Sequence, residues 1–281
     1  MFRFASLIAP RGMTVMLGLA AIAAAGPKAN AQVSVLSSTV EEHIGGPGET
    51  YTGRIEIANS SRMAQVVRLY QTDYSFAADG TSNFDKPGSL ARSNAAWISL
   101  QSEQVTVPAA GFITVPYTVT VPKTDSLRGT YWSAIMVEPV AHPTPTASDS
   151  ANTPRVGLGT VIRYAVQVAT HMGTSGARTV RFEAIEAKQG PDSTPANKSM
   201  LELNVLNTGE RAYRPALWIE LYDSKGALRA KAKQSRGLLY PGCSLRQRFD
   251  LGTVPPGTYK AVIFADTGEE TVFASQYTVV F

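Results

Sequence analysis

Residues 127–139 read LRGTYWSAIMVEP, and the triplet Gly-Thr-Tyr returns at 257–259 within PPGTYKAVIFAD (255–266). In both stretches a glycine turn is followed by an alternating, aromatic and β-branched run, which predicts a β-strand. Tyr131 and Trp132 are neighbours and therefore face opposite sides of such a strand. We interpret this stretch as scaffold rather than as an aromatic binding platform, with Trp132 and Trp97 filling a core or an interface.

The surrounding sequence repeats in the same order. In each half an Asn that leaves a strand is followed by a Pro turn and then by the Gly-Thr-Tyr strand. The three anchors are Asn59, Pro108 and Gly129 in the first half, and Asn207, Pro241 and Gly257 in the second. The gaps between anchors are 49 and 21 residues, then 34 and 16. The longer first gap is attributed to FAADGTSNFDKPGSLARSN (76–94), predicted to be a surface loop or a small extra hairpin.

Short alternating runs separated by Gly, Pro, Asn and Asp occupy almost the whole chain after residue 31. This pattern, together with the repeat, predicts an all-β protein of two tandem immunoglobulin-like β-sandwiches. The predicted domains are 32–172, with a flexible loop at 141–155, and 173–281. Tyr131 and Tyr259 are candidates for the tyrosine that hydrogen-bonds across the corner of such a sandwich.

Residues 1–31 are predicted to be a signal peptide. Arg3 and Arg11 precede an apolar run at 13–25, and Ala29-Asn30-Ala31 supplies a cleavage pattern. Without this segment the chain keeps 23 of its 26 basic residues against 22 acidic ones, so a nucleic-acid partner is not predicted. We expect an exported protein with no transmembrane segment after cleavage, in the periplasm or, as the alternative, at the cell surface.

Catalytic and metal-binding motifs were sought and none was found. The three histidines, His43, His142 and His171, have no second ligand at metal spacing, and no nucleophile–base pair stands out. We therefore predict no enzyme, no metal and no cofactor. Cys243, the single cysteine, is read as a small buried residue after the Pro241-Gly242 turn, with a reactive thiol as the alternative.

Two stretches are candidate binding surfaces. The first is a long alternating strand at 156–168, following the loop, whose edge is available for another chain; the alternative is that it completes the first sandwich. Its proposed partner-strand positions are Val156, Leu158, Ile162 and Tyr164, on the same face as Val166 and Val168. The second is LRAKAKQSR (228–236), in which Arg229, Lys231 and Lys233 lie on one side of an extended chain. These three charges are candidates for binding an anionic polymer or lipid surface; the alternative is that they protect a sheet edge against aggregation.

The export signal, the first immunoglobulin-like domain, the long strand at its end and the smaller second sandwich together resemble the periplasmic chaperones of pilus assembly. That resemblance implies that the last strand of domain one lends alternate apolar side chains to an incomplete subunit. It further implies that Arg163 binds the subunit's C-terminal carboxylate. The family's second basic residue, in the first strand, has no counterpart here, since SSTVEEHIGG carries Glu41 and Glu42 instead.

A second resemblance is to bacterial surface proteins with tandem immunoglobulin-like domains, based on the Asn-Ser turn, the strand from Trp97 to Leu100 and the Gly-x-Tyr-Trp motif. Two hypotheses follow. The first is a chaperone-like protein that captures a secreted or pilus-type subunit by strand addition. The alternative is an envelope protein that binds cell-wall polymer or a partner protein.

Overall fold

The computed structural model describes residues 32–140, 161–189, 198–268, 270 and 272–281. The predicted signal peptide, the loop 141–155, Val156 and Leu158 lie outside the described residues. Residues 31–281 form one compact unit. The described residues contain no helix long and apolar enough to cross a membrane. The prediction of an all-β protein is confirmed, since the only helical element in the described part is one 3-10 turn, Ala95–Trp97.

In the described part of the chain, ten strands build the first sandwich and seven build the second. Those of the first are β1 (Val33–Val35), β2 (Val40–Gly45), β3 (Thr50–Asn59), β4 (Gln65–Phe76), β5 (Ser82–Asp85), β6 (Ile98–Leu100), β7 (Gln104–Val107), β8 (Gly111–Thr120), β9 (Gly129–Pro139) and β10 (Tyr164–Met172). One sheet has the order β1-β3-β8-β6, and the other β2-β10-β9-β4-β5 with β7 also paired to β4. The β4–β5 pairing is the small hairpin expected within 76–94. The chain changes sheet between β1 and β2, so that β2 lies parallel to β10.

Seven strands build the second sandwich. They are β11 (Val180–Gln189), β12 (Ser199–Asn207), β13 (Ala216–Tyr222), β14 (Leu228–Ser235), β15 (Ser244–Asp250), β16 (Thr258–Asp266) and β17 (Val272–Val280). The sheets have the orders β11-β12-β15 and β14-β13-β16-β17. Alternate residues of these strands face one apolar core, as the period-two pattern predicts. Cys243 is 2% exposed in that core, and burial raises the pKa of its thiol.

The two predicted Asn anchors form equivalent hydrogen bonds in the two sandwiches. The side-chain amide of Asn59 donates to the Met63 carbonyl (2.8 Å), and its Oδ1 accepts the Ser61 N–H (2.9 Å). Asn207 repeats this with Arg211 and Gly209, each at 2.9 Å. Both side chains are buried and also donate to the chain beside the following turn, at Pro108 and Leu239 respectively. Each buried amide therefore closes one strand–turn corner, which explains why the sequence repeats it.

The tyrosines of the repeated triplet differ. The Tyr259 hydroxyl donates to the Pro255 carbonyl at 2.8 Å, which confirms the predicted corner bond. The Tyr131 ring instead lies against Trp97, with ring centroids 4.9 Å apart, and under the Arg92 guanidinium. The prediction of a corner role for Tyr131 is therefore not matched by its contacts.

The two sandwiches share a packed interface. Trp132, which is 3% exposed, stacks on Tyr240 with centroids 4.8 Å apart and rings 10° from parallel. The Trp132 indole N–H donates to the Tyr74 carbonyl (2.7 Å), and the Tyr240 hydroxyl donates to the Gln167 side chain (2.9 Å). Because both aromatic side chains are buried with their polar atoms satisfied, the interface resembles a continuous core. Trp132 is thus the interface filler that the sequence predicts.

Candidate binding surface

Strand β10 is shorter and later than predicted. The sequence predicts a strand over 156–168, whereas β10 spans Tyr164–Met172 and residues 161–163 are not in a strand. Val166 and Val168 are buried in the first core, and Tyr164 packs against that core. The alternative reading, in which the strand completes the first sandwich, therefore holds for its described part. Ile162, 39% exposed, is the predicted partner-strand position that remains accessible.

Among the described residues, one side of β10 has no partner strand at its beginning. The neighbouring strand β2 pairs with β10 only from Gln167 onward, and the Gln167 N–H donates to the Thr39 carbonyl at 2.9 Å. Since backbone groups alternate between the two neighbours of a strand, the N–H and C=O of Ala165 point to the same side as those of Gln167. No described residue pairs with Ala165 there. This open edge is a template for an added strand.

Exposed aliphatic side chains directly precede the open part of β10, since Val161 and Ile162 are 46% and 39% exposed. Val140, which is 41% exposed, follows β9 and donates its N–H to the Val66 carbonyl of β4 (2.9 Å), so it lies on the other side of β10 from the open edge. Extended backbone beside exposed aliphatic side chains is the combination that strand addition uses.

Arg163 is exposed and precedes β10. It therefore does not lie late in the strand, which is where the resemblance to pilus chaperones expects the anchoring basic residue. Its positive charge acts on the nearby Glu138 carboxyl. The Tyr70 hydroxyl (2.6 Å) is the main cause that lowers the pKa of Glu138, with contributions from Arg68 and Arg163. A carboxylate therefore already lies within the field of Arg163, and the anchoring role predicted for it stays a prediction.

The basic side chain late in β10 is His171, which sequence analysis did not single out as a functional residue. It belongs to a hydrogen-bonded network at the junction of the two sandwiches, in which Thr130 and His171 are buried and Glu42 and Arg214 are partly exposed. Thr130 Oγ1 accepts the Ala212 N–H (2.9 Å) and lies 2.8 Å from His171 Nδ1. His171 Nε2 lies 3.1 Å from Glu42 Oε2, and Glu42 also accepts a hydrogen bond from Arg214 of the second sandwich.

The hydrogen-bond partners and the pKa shifts together indicate the protonation of this network. The Glu42 carboxylate can only accept, so His171 Nε2 carries a proton toward it, and in the neutral ring Nδ1 then accepts from the Thr130 hydroxyl. Burial lowers the pKa of His171 against the opposing effect of Glu42, so the ring is neutral. Burial raises the pKa of Glu42, but the hydrogen bonds from Arg214 and His171 outweigh it, and the net pKa is lowered. At neutral pH the network is an Arg–carboxylate pair capped by a neutral imidazole.

A cleft between the sandwiches adjoins the open edge. It has a volume of about 330 Å³ and is lined by Val40 and Gln167 of the first sandwich. Its opposite wall contains Arg236 and Arg246 of the second. The Arg236 guanidinium donates to Gln247 and to the Arg246 carbonyl, and that of Arg246 donates to Asn204. Neither arginine forms an ion pair within the described part of the chain, but the charge of Arg246 also acts on the Asp79 and Glu202 carboxyls. The positive charge on this wall of the cleft is therefore partly offset.

The second predicted surface lies on β14, an edge strand. Arg229 pairs with Asp223 at 2.6 Å and Lys231 with Glu220 at 2.7 Å, while Lys233 lies opposite Trp218. Two of the three charges are thus matched by carboxylates. This arrangement guards a sheet edge and gives no support to an anionic-polymer site.

No protein-family model and no curated protein sequence matches this chain. Among solved structures, it is similar to the class 5 fimbriae chaperone CfaA, with 12% identity, 87% of this chain and 98% of that chain covered, and a TM-score of 0.44. It is also similar to the Pseudomonas aeruginosa CupB2 chaperone (8% identity, 86% and 98% covered, TM-score 0.36). A third similarity is to a chain of the CsuC–CsuE chaperone–tip adhesion subunit complex of Acinetobacter baumannii (11%, 88% and 98%, TM-score 0.41). At such identities and TM-scores, function has to be argued from this chain's own residues.

Proposed function

We propose that this protein is a chaperone-like binding protein that captures an extended segment of a secreted or pilus-type subunit by strand addition. The segment pairs with the open side of β10 at Ala165 and covers Val161 and Ile162. The observation that carries this proposal is that β2 pairing begins only at Gln167. On that side Ala165 has no partner among the described residues, and it lies next to the exposed Val161 and Ile162 in sequence.

The packed interface gives the proposed site a rigid frame. The Trp132–Tyr240 stack and the partly exposed Glu42–Arg214 pair join the two sandwiches. A segment added along β10 toward Gln167 runs toward the cleft lined by Arg236 and Arg246. Together with the predicted Arg163, these two arginines are candidates to attract a terminal carboxylate of the captured chain.

The test is affinity capture from the exported fraction of the native cells, with mass spectrometry of the bound protein. Ala165→Pro removes the N–H that points to the open side and leaves the bonds to β9 in place, because proline is tolerated where the N–H faces away from the sheet. Ile162→Asp places a charge on the exposed aliphatic surface. We expect both variants to lose a stoichiometric secreted partner.

The matched control is Gln234→Lys on the exposed edge strand β14, which changes a surface side chain far from the proposed site in the fold. This variant is expected to retain the partner. Capture that persists in Ala165→Pro and Ile162→Asp, with both variants folded by circular dichroism, would overturn the proposal.

A further inference from the structure

Among the described strands of the second sandwich, four lie at sheet edges. Three of them carry charges or a bulge that hinder pairing with another strand. Strand β14 carries Arg229, Lys231 and Lys233. Strand β15 carries Arg246, Arg248 and Asp250. Strand β11 is charged and has a bulge between Glu183 and Glu186, where Ala184 adopts a φ of +47°. Charges and bulges of this kind prevent edge-to-edge association.

Strand β17 lacks every one of these guards. Its sequence, VFASQYTVV, contains no charged residue, no proline and no glycine, and its pairing with β16 runs without a register shift from Val272 to Val280. Within the described part of the chain, β16 is its only strand partner. Val272 and Val280, at its two ends, are 44% and 65% exposed. A nine-residue edge that is uncharged, paired without a bulge and apolar at both ends is a template for another strand.

The backbone of β17 shows which residues face the open side. Gly257 and Phe281 exchange both of their backbone hydrogen bonds, at 2.9 and 3.0 Å. Because bonded pairs alternate along an antiparallel ladder, the odd-numbered residues of β17 bond to β16. The even-numbered ones therefore direct their N–H and C=O groups outward, and they are Val272, Ala274, Gln276, Thr278 and Val280.

We propose that β17 is a homodimer interface, in which the β17 strands of two copies pair antiparallel about a two-fold axis at Gln276. In this register Gln276 lies opposite its own copy, Ala274 opposite Thr278, and Val272 opposite Val280. All five outward residues are then paired with outward residues, which gives about ten backbone hydrogen bonds. If the register shifts by one residue, backbone groups that face the open side lie opposite groups that bond to β16. If it shifts by two residues, one terminal valine of each copy has no hydrogen-bonding partner.

The side chains of the adjoining strand agree with this register. Next to β17, Lys260 lies beside Thr278, Phe264 beside Ala274 and Asp266 beside Val272. Across the two-fold axis the two rows through Thr278 and Ala274 join Lys260 of one copy to Phe264 of the other. The two outer rows join Asp266 to Thr258, so no like charges meet. A second copy of this chain therefore fits the hydrogen-bonding pattern without charge repulsion, and the interface is isologous.

The test uses sedimentation velocity over a wide concentration range. Wild type is expected to dimerise. Gln276→Lys and Gln276→Glu, which place like charges directly opposite each other, are each expected to weaken dimerisation. An equal mixture of the two variants is expected to form a mixed dimer about tenfold tighter than either variant alone, since opposite charges then meet at the axis.

Two further variants make the result specific. Gln276→Pro removes the central outward N–H and is expected to abolish the dimer while the fold persists, because that N–H does not bond to β16. Gln234→Lys, the same charge on the other edge of this sheet, is expected to dimerise as wild type does. A monomeric wild type, a dimer that survives Gln276→Pro, or variants that do not recover on mixing would each overturn the proposal.

Discussion

Gly129, the first residue of the repeated triplet in the first sandwich, is expected to be indispensable for the junction between the sandwiches. Its φ of +72° is unfavourable for any residue with a Cβ atom. A Cβ built on it lies 2.0 Å from the Glu210 carbonyl oxygen and 2.6 Å from the Glu210 carbonyl carbon. The same oxygen accepts the Thr130 N–H at 2.9 Å, so there is no room for a methyl group without separating the sandwiches.

The expected cost of Gly129→Ala has two parts. The left-handed conformation costs about 1–2 kcal/mol for an L-residue. Displacement of Glu210 breaks the Thr130–Glu210 bond and strains the neighbouring Ala212–Thr130 bond, each worth about 0.5–1.5 kcal/mol. We therefore expect the free energy of unfolding to fall by about 2–5 kcal/mol.

The assay is urea unfolding followed by tryptophan fluorescence, because Trp132 reports directly on the junction. The matched control is Gly237→Ala, since a Cβ there has no heavy atom within 4 Å. A loss of less than about 1 kcal/mol in Gly129→Ala, or one equal to that of the control, would refute the reasoning.

Three further predictions concern single side chains. The pKa of His171 in the folded protein is lowered from about 6.5, so as the pH falls below about 6.5 this imidazole is protonated in the unfolded chain before it is protonated in the folded one. The free energy of unfolding therefore falls as the pH drops below about 6.5. The pKa of Glu42 is lowered from 4.5, so protonation of this carboxylate reduces the free energy of unfolding further below that pH. In His171→Gln the slope of stability between pH 7 and 5 should flatten in urea unfolding, and an unchanged slope would contradict the neutral-imidazole assignment. Cys243 should react with a thiol reagent only in denaturant, because it is buried and its pKa is raised; rapid labelling of the native protein would contradict this. Ile162→Asp should leave Tm unchanged while Tyr164→Asp lowers it, since only the second side chain packs on the first core; equal Tm values would place both outside the core.

The sequence predicts what depends on local chemistry. The alternation of apolar residues predicts most strands, and the buried Asn59 and Asn207 corners follow from a residue that bonds its own neighbours. The Tyr259 corner bond and the β4–β5 hairpin are of the same kind. In each case the partners lie within a few residues or on the paired strand.

Features built from distant segments were missed. Nothing in the alternation over 156–168 indicates that β10 begins at Tyr164, because the same pattern continues on both sides of that residue. Strand β2, with its two glutamates, has no apolar period to predict a parallel pairing with β10. The network of Glu42, His171 and Arg214 joins three segments whose proximity only the folded chain creates.

The central claim is that a partner segment pairs with the backbone of β10 at its open side. The most direct measurement is hydrogen–deuterium exchange at the Ala165 amide, in the free protein and in the complex captured from the exported fraction. The account predicts rapid exchange in the free protein and strong protection in the complex, with Val166 and Val168 protected in both. A complex in which the Ala165 amide exchanges as fast as in the free protein would contradict strand addition at this edge.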